Sequence, residues 1–210
     1  MSCKGKLMFK YGTMAAGKSL HLLATAHNFQ EHSIPFIIIK SEIDTRDGYG
    51  VIHSRALGDR ECVSISSEDN IYTIISSTIE HNNALFQENI KWILVDEAQF
   101  LTPEQVEQLA AIADNFCINV LCYGLRTDFR TKLFPGSQRL FELADSFEEI
   151  KSTCYCNSKT IVNARIDSNG NVVTDGNQVE VGGDDRYVSL CRKCYFEKIG
   201  HPLYNNGNQE

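Results

Sequence analysis

Apolar residues in this chain come in two patterns, short unbroken runs and helix-spaced stripes, and the two alternate through most of its length. The runs are Leu7-Met-Phe, Pro35-Phe-Ile-Ile-Ile, Trp92-Ile-Leu-Val and Cys117-Ile-Asn-Val-Leu-Cys-Tyr. Each is short, bounded by glycine, proline or charge, and mostly rich in β-branched residues, so each predicts a strand buried on both faces. Cys62-Val-Ser-Ile is a weaker strand of the same kind. Between the runs, Leu20-His-Leu-Leu-Ala, then Ile71, Ile74, Ile75, Ile79 and Leu85, then Val106, Leu109, Ala110, Ile112 and Ala113 recur at helical spacing. Thr102-Pro103-Glu104 reads as a helix start, with a capping side chain, proline in the first turn and an acid at the positive end of the dipole. Residues 136–144 predict a further short amphipathic helix. Strands alternating with helices imply an α/β fold around a mostly parallel sheet.

Two stretches fall outside this rhythm. Residues 41–60 are polar and glycine-bearing and are expected as a long loop leaving the carboxyl end of a strand, the edge where ligands bind in open α/β sheets. There Asp44, Arg46 and Arg55 face either a metal and phosphates or plain solvent. Beyond about residue 150 the alternation stops. Short strands around Thr160-Ile-Val-Asn-Ala-Arg-Ile and Asn171-Val-Val-Thr flank Asn169-Gly170, a hairpin turn signal. The expected organisation is a nucleotide-binding domain over residues 1–149, a small ribbon-like domain over 150–199 and a disordered tail over 200–210.

Composition narrows the classes. With 210 residues and 42% hydrophobic content the chain can build a real core, and no apolar run reaches the roughly 18 residues of a membrane span. No secretory signal is evident. A formal charge of −7 argues against gripping a nucleic-acid polymer by its backbone. Eight cysteines without a signal suit a cytoplasmic protein that uses thiols for metal rather than for disulfides. Cys117 and Cys122 read as small apolar residues of their strand.

The chemistry concentrates at four places. After the first strand, Gly12-Thr13-Met14-Ala15-Ala16-Gly17-Lys18-Ser19 fits the phosphate-binding loop pattern in full and opens a helix. Glycines let the backbone curl around phosphate oxygens, the helix dipole assists, Lys18 reaches the terminal phosphates and the Ser19 hydroxyl helps hold Mg²⁺. At the end of the Trp92 strand, Asp96 and Glu97 stand side by side. Asp96 takes the Walker B place beside Mg²⁺, leaving Glu97 to prepare a water in a hydrolase or take a hydroxyl proton in a kinase. Leu125-Arg126-Thr-Asp128-Phe129-Arg130 combines basic and aromatic residues past another strand end, suited either to a flat polar ring or to core packing. Cys154-Tyr-Cys156 and Cys191-Arg-Lys-Cys194 offer four thiols for a tetrahedral structural Zn²⁺, with free thiols or a redox pair as the alternatives. Residues 176–187 lie between the pairs and form either a lid or a mobile surface loop.

The phosphate loop, Asp96-Glu-Ala-Gln-Phe100, Tyr123-Gly-Leu-Arg-Thr-Asp-Phe129 and the four thiols together resemble the type II thymidine kinases over about residues 5–199. The resemblance implies a P-loop, RecA-like sheet with a zinc-ribbon-like domain carrying a lid, and transfer of the ATP γ-phosphate to the 5′-hydroxyl of thymidine, with deoxyuridine as a second substrate. It implies ATP binding by Gly12 through Ser19, with Asp44, Arg46, Asp96, Glu97, Ala98 and Gln99, and Glu97 as general base. Met14, Phe100, Leu125 and Phe129 would line the nucleoside pocket. Gln178, Val179, Glu180, Val181 and Gly182 would hold the base through their main chain, and Tyr187 would pack over it. Zn²⁺ would sit on Cys154, Cys156, Cys191 and Cys194, and Mg²⁺ near Ser19 and Asp96. The family also implies a homotetramer inhibited by dTTP. Close relatives often carry histidine where this chain has Cys194, another good Zn²⁺ ligand. A helicase-like motor and a non-catalytic zinc module are the rival readings. The acidic balance and short chain count against the first, and the complete phosphate loop against the second.

Overall fold

A run such as Ile93-Leu94-Val95 can satisfy its backbone and bury both faces only inside a sheet covered on each side. The computed structural model, which describes residues 4–43, 50–54, 58–86, 89–178 and 187–204, shows that sheet. Its strands are β1 (Leu7–Gly12), β2 (Phe36–Ser41), β5 (Val63–Ile65), β6 (Trp92–Asp96), β7 (Asn119–Gly124) and β8 (Ser146–Ile150). They lie in the order β5-β2-β6-β7-β1-β8, every neighbouring pair parallel. Helix α1 (Lys18–Glu31) covers one face, where Leu22, Leu23 and Ala26 meet Ile38, Leu94, Leu121 and Tyr123. Helices α2 (Ile71–Phe86), α3 (Pro103–Phe116) and α4 (Pro135–Leu143) cover the other, with Ile75, Leu109 and Leu140 packed on Phe9, Ile93 and Val120. Leu94 is fully buried, and truncation to Ala would cost about 2–5 kcal/mol.

Parallel pairing brings the carboxyl ends of the strands to one edge. Lys40 stands opposite Asp96, and Tyr11 opposite Gly124, so the ends of β2, β6, β7 and β1 meet there. The predicted helix start at Thr102 holds: its hydroxyl accepts from the Gln105 N–H and the Gln105 side chain accepts from the Thr102 N–H, a reciprocal cap with Pro103 in the first turn.

Past β8 the chain builds a second sheet from β9 (Val162–Ile166), β10 (Val172–Val173) and β11 (Tyr187–Leu190), antiparallel in the order β10-β9-β11. The turn between β9 and β10 runs through Gly170 at φ 83°, as the Asn-Gly pair predicts. Helix α5 (Arg192–Lys198) closes this unit, its Tyr195 sharing a core with Val162, Ala164 and Leu190. Among the described residues no helix is long and apolar enough to cross a membrane.

Four details differ from the sequence reading. The stretch expected as one loop over 41–60 holds an antiparallel hairpin, β3 (Val51–Ser54) with β4 (Gly58–Glu61), which buries Ile52 in the core on the α1 side. Four-residue strands carry too little alternation to register in the pattern. Cys117 is not in a strand: it ends α3 at φ 56°, and the strand begins at Asn119. Cys122 lies where expected, and burial pushes its thiol up, keeping it neutral. β8 was not foreseen, because an edge strand reading Ser-Phe-Glu-Glu-Ile is mostly polar and exposed. Residues 201–204, assigned to a tail, fold back so that Tyr204 stacks on Phe196 at 4.9 Å; residues 205–210 lie outside the described residues.

Candidate active site

The turn from β1 into α1 has the shape its glycines predict. Gly17 caps α1 at φ 83°, and Ala15 also takes a left-handed conformation at φ 57°. Gly12 is required by space: a Cβ there would lie 2.7 Å from the carbonyl oxygen of Ile150 in β8. Lys18 is buried and its ammonium donates to the Thr13 carbonyl at 3.0 Å, so the cation is folded into the loop. The loop is also held from outside the large sheet. The Thr13 hydroxyl lies 2.7 Å from that of Ser152 and 2.9 Å from that of Thr160. The Met14 N–H donates to Asn163 Oδ1, and the Met14 carbonyl accepts from Ser189 Oγ, each at 2.7 Å.

At the end of β6 the two acids part company. Asp96 is almost fully buried, and Ser19 Oγ donates to its Oδ2 at 3.2 Å. Burial, followed by the charge of Glu97 beside it, raises the Asp96 carboxyl to about 7. A hydroxyl and a carboxylate converging beside a buried ammonium are hard oxygen donors of the kind Mg²⁺ takes. Glu97 leaves the strand in a left-handed conformation, φ 50°, and begins a 3₁₀ turn over Ala98–Phe100. Its Oε2 accepts from Gln99 Nε2 at 2.5 Å, while Gln99 Oε1 accepts from the Leu125 N–H at 2.9 Å. That second bond fixes which end of the amide faces Glu97. Gly124 leaves the room for it, since a Cβ there would meet Gln99 Oε1 at 2.8 Å. Phe100 packs edge-on against Phe134 at 5.8 Å, and Ala98 is fully buried.

The loop after β7 is organised by Asp128. Its carboxylate accepts from the N–H groups of Arg130 and Lys132, from the Arg130 guanidinium and from Gln178 Nε2. Leu125 is buried, and Phe129 is 1% exposed beneath the Arg165 guanidinium, 4.0 Å from its ring centre. Phe129 is thus buried and stacked by Arg165. Gly176, at φ 122°, lets Arg165 pass; a Cβ there would overlap its Nη2. Tyr187 starts β11 opposite Arg165. Asp44, Arg46 and Arg55, and Val179, Glu180, Val181 and Gly182, lie outside the described residues.

The sulfurs of Cys154, Cys156, Cys191 and Cys194 all lie within 4.8 Å of one another. A tetrahedral site with Zn–S bonds of about 2.3 Å sets sulfurs about 3.8 Å apart, so the cluster fits such an ion. The Cys191 sulfur accepts from the Cys194 N–H at 3.4 Å. Hydrogen bonds from Ser158, side chain first and then backbone, followed by those from Cys194 and Cys191, bring the Cys156 thiol down to about 6. It is thus held toward the thiolate form that binds metal.

Sequence reasoning missed Gln99's bridge, Ser152, Thr160, Asn163, Ser189 and Arg165. One signal was available: Asn163 is a polar residue inside the run Ile161-Val-Asn-Ala, where a buried amide needs partners.

Comparison with known proteins places these features in context. The family model described as thymidine kinase matches residues 5–195. A thymidine kinase of Pasteurella multocida is 43% identical over 194 residues, covering 92% of this chain and 98% of the relative. One from Haemophilus influenzae is 42% identical over 195 residues, covering 93% and 98%. One from Streptococcus pyogenes is 41% identical over 192 residues, covering 91% and 97%.

Proposed function

The chain belongs to the thymidine kinase family, and we propose that it transfers the γ-phosphoryl group of ATP to the 5′-hydroxyl of thymidine, with deoxyuridine as a second acceptor. The observation that carries this reading is the 3.2 Å contact between Ser19 and Asp96, which joins the phosphate loop to the strand end that Glu97 follows.

Residues 12–19 cradle the triphosphate, with Lys18 beside the terminal phosphates and Asp44 and Arg46 as further ATP-binding residues. Ser19 and Asp96 would hold Mg²⁺, which when bound would neutralise charge on the phosphate oxygens. Glu97 accepts the proton of the 5′-hydroxyl as the new O–P bond forms and the bond from the γ-phosphorus to the bridging oxygen breaks, releasing ADP. Gln99, with Ala98 behind it, keeps the Glu97 carboxylate aimed. Met14, Phe100, Leu125 and Phe129 line the nucleoside pocket. Gln178, Val179, Glu180, Val181 and Gly182 hold the base by main-chain groups, and Tyr187 packs over it. Cys154, Cys156, Cys191 and Cys194 would hold a structural Zn²⁺, which would cross-link this unit without taking part in transfer. A cytoplasmic homotetramer under dTTP feedback completes the reading, with the family resemblance as its support.

The test is a panel of nucleosides incubated with Mg-ATP, following phosphorylated product. Thymidine and deoxyuridine should be converted and purine nucleosides left unchanged. No product from any nucleoside, or an ATPase stimulated by nucleic acid, would count against it.

A further inference from the structure

A phosphate loop of this type wraps its ligand with successive backbone N–H groups. In this chain one of them is already committed. The Met14 N–H donates to Asn163 Oδ1 at 2.7 Å, and the carbonyl of the same residue accepts from Ser189 Oγ at 2.7 Å. Asn163 on β9 and Ser189 on β11 are directly opposite one another in the antiparallel register. One cross-strand pair therefore grips both the donor and the acceptor of a single residue in the loop. The grip has a defined sense. Asn163 is 3% exposed and its Nδ2 donates to the Thr127 carbonyl at 3.3 Å, which leaves Oδ1 to face Met14. One residue earlier the Thr13 hydroxyl is shared with Ser152 and Thr160, so the second anchor also comes from the chain beyond β8.

We propose that Asn163 and Ser189 are positioning residues for phosphoryl transfer: by gripping the Met14 backbone they fix the curvature that presents the amides at the start of α1. Those amides have no intrahelical acceptor and lie at the positive end of the dipole. The inference rests on the reading of residues 12–19 as the ATP site. It assigns the loop's shape to a sheet whose own core includes three of the four clustered thiols, Cys154, Cys191 and Cys194.

The test compares Asn163→Ala, Ser189→Ala and Ser189→Thr with the native chain, using titration calorimetry with Mg²⁺ and a non-hydrolysable ATP analogue. Melting temperature and bound metal are measured alongside. Each alanine variant should weaken nucleotide binding about tenfold, as expected if the loop keeps its binding shape only about a tenth of the time. The apparent KM for ATP should rise by a similar factor and metal content should stay native, while the melting temperature falls modestly for the buried partners left unsatisfied. Ser189→Thr keeps the hydroxyl and should restore affinity to within about twofold. The double alanine variant should lose less than the product of the single losses, because both side chains act on one residue. Native protein that binds the nucleotide while both alanine variants bind it equally well would overturn the inference and leave the kinase reading standing. Losses that Ser189→Thr shares would also overturn it. Native protein that binds no nucleotide would overturn both.

Discussion

The side-chain amide of Gln99 donates to the Glu97 carboxylate across 2.5 Å, and the Leu125 N–H holds its other end. Glu97 is 6% exposed, so the Gln99 amide helps set the direction of its carboxylate more than solvent does. Glu97→Gln should retain ATP and thymidine affinity and lose about 10²–10⁴-fold in kcat, the usual share of a general base. Gln99→Leu should lower kcat by a smaller factor, about tenfold, with both KM values near native. Steady-state kinetics separate the two roles, and an equal fall in binding and turnover for Glu97→Gln would remove it from the proton transfer.

Asp96 carries a cost that its role explains. Its folded carboxyl titrates near 7, above the ordinary 3.8, because burial and then the neighbouring Glu97 charge disfavour ionisation. Between those values the unfolded chain releases a proton that the folded chain keeps, so this group removes stability as pH rises, in full above about 7. With chelator present and no nucleotide, Asp96→Asn should melt at the native temperature near pH 4 and several degrees above it at pH 8. The same variant should lose Mg²⁺-dependent transfer. A pH-independent difference between the two melting curves would contradict the assignment.

Removing the metal should act at a distance. The thiol cluster anchors the unit that supplies Asn163 and Ser189, so stripping Zn²⁺ or making Cys154→Ser should lower the melting temperature and weaken ATP binding together. Metal analysis, thermal melts and nucleotide titration on one preparation check this. Unchanged metal content and melting temperature in Cys154→Ser would exclude that sulfur as a ligand.

Gly12→Ala places a methyl group 2.7 Å from a main-chain oxygen of β8, which cannot rotate away as a side chain would. The expected result is a folded protein with native far-ultraviolet circular dichroism and nucleotide affinity reduced by at least about tenfold. Native affinity would show that β8 yields.

Much of this was legible in the chain because local chemistry wrote it there. Thr102-Pro103-Glu104, the unbroken run at Trp92 and the spacing from Gly12 to Ser19 each depend on neighbours in sequence, and the helix start, the strand and the glycine turn into α1 each appear as read. What was not legible depends on contacts that sequence order does not encode. Asn163 meets Met14 across 149 positions and Ser189 meets it across 175, so neither leaves a periodic trace. β8 and the β3–β4 hairpin escaped for a different reason. Each is short and partly polar, and each is fixed by the partner it lies against, β1 in the first case and its own hairpin mate in the second. Phe129 shows a third limit. An aromatic beside arginines is equally at home under a ligand or under Arg165, and only the fold shows the Arg165 stacking.

The grip on Met14 bears on how the chain matures as it is made. All six strands of the large sheet and the whole glycine–lysine–serine signature have been synthesised once Ile150 is added, yet the hydroxyl that secures the Met14 carbonyl arrives only with Ser189. A nascent chain stalled between those two points carries an intact signature on a slack hinge. Full nucleotide affinity is therefore expected only in chains extended through Ser189.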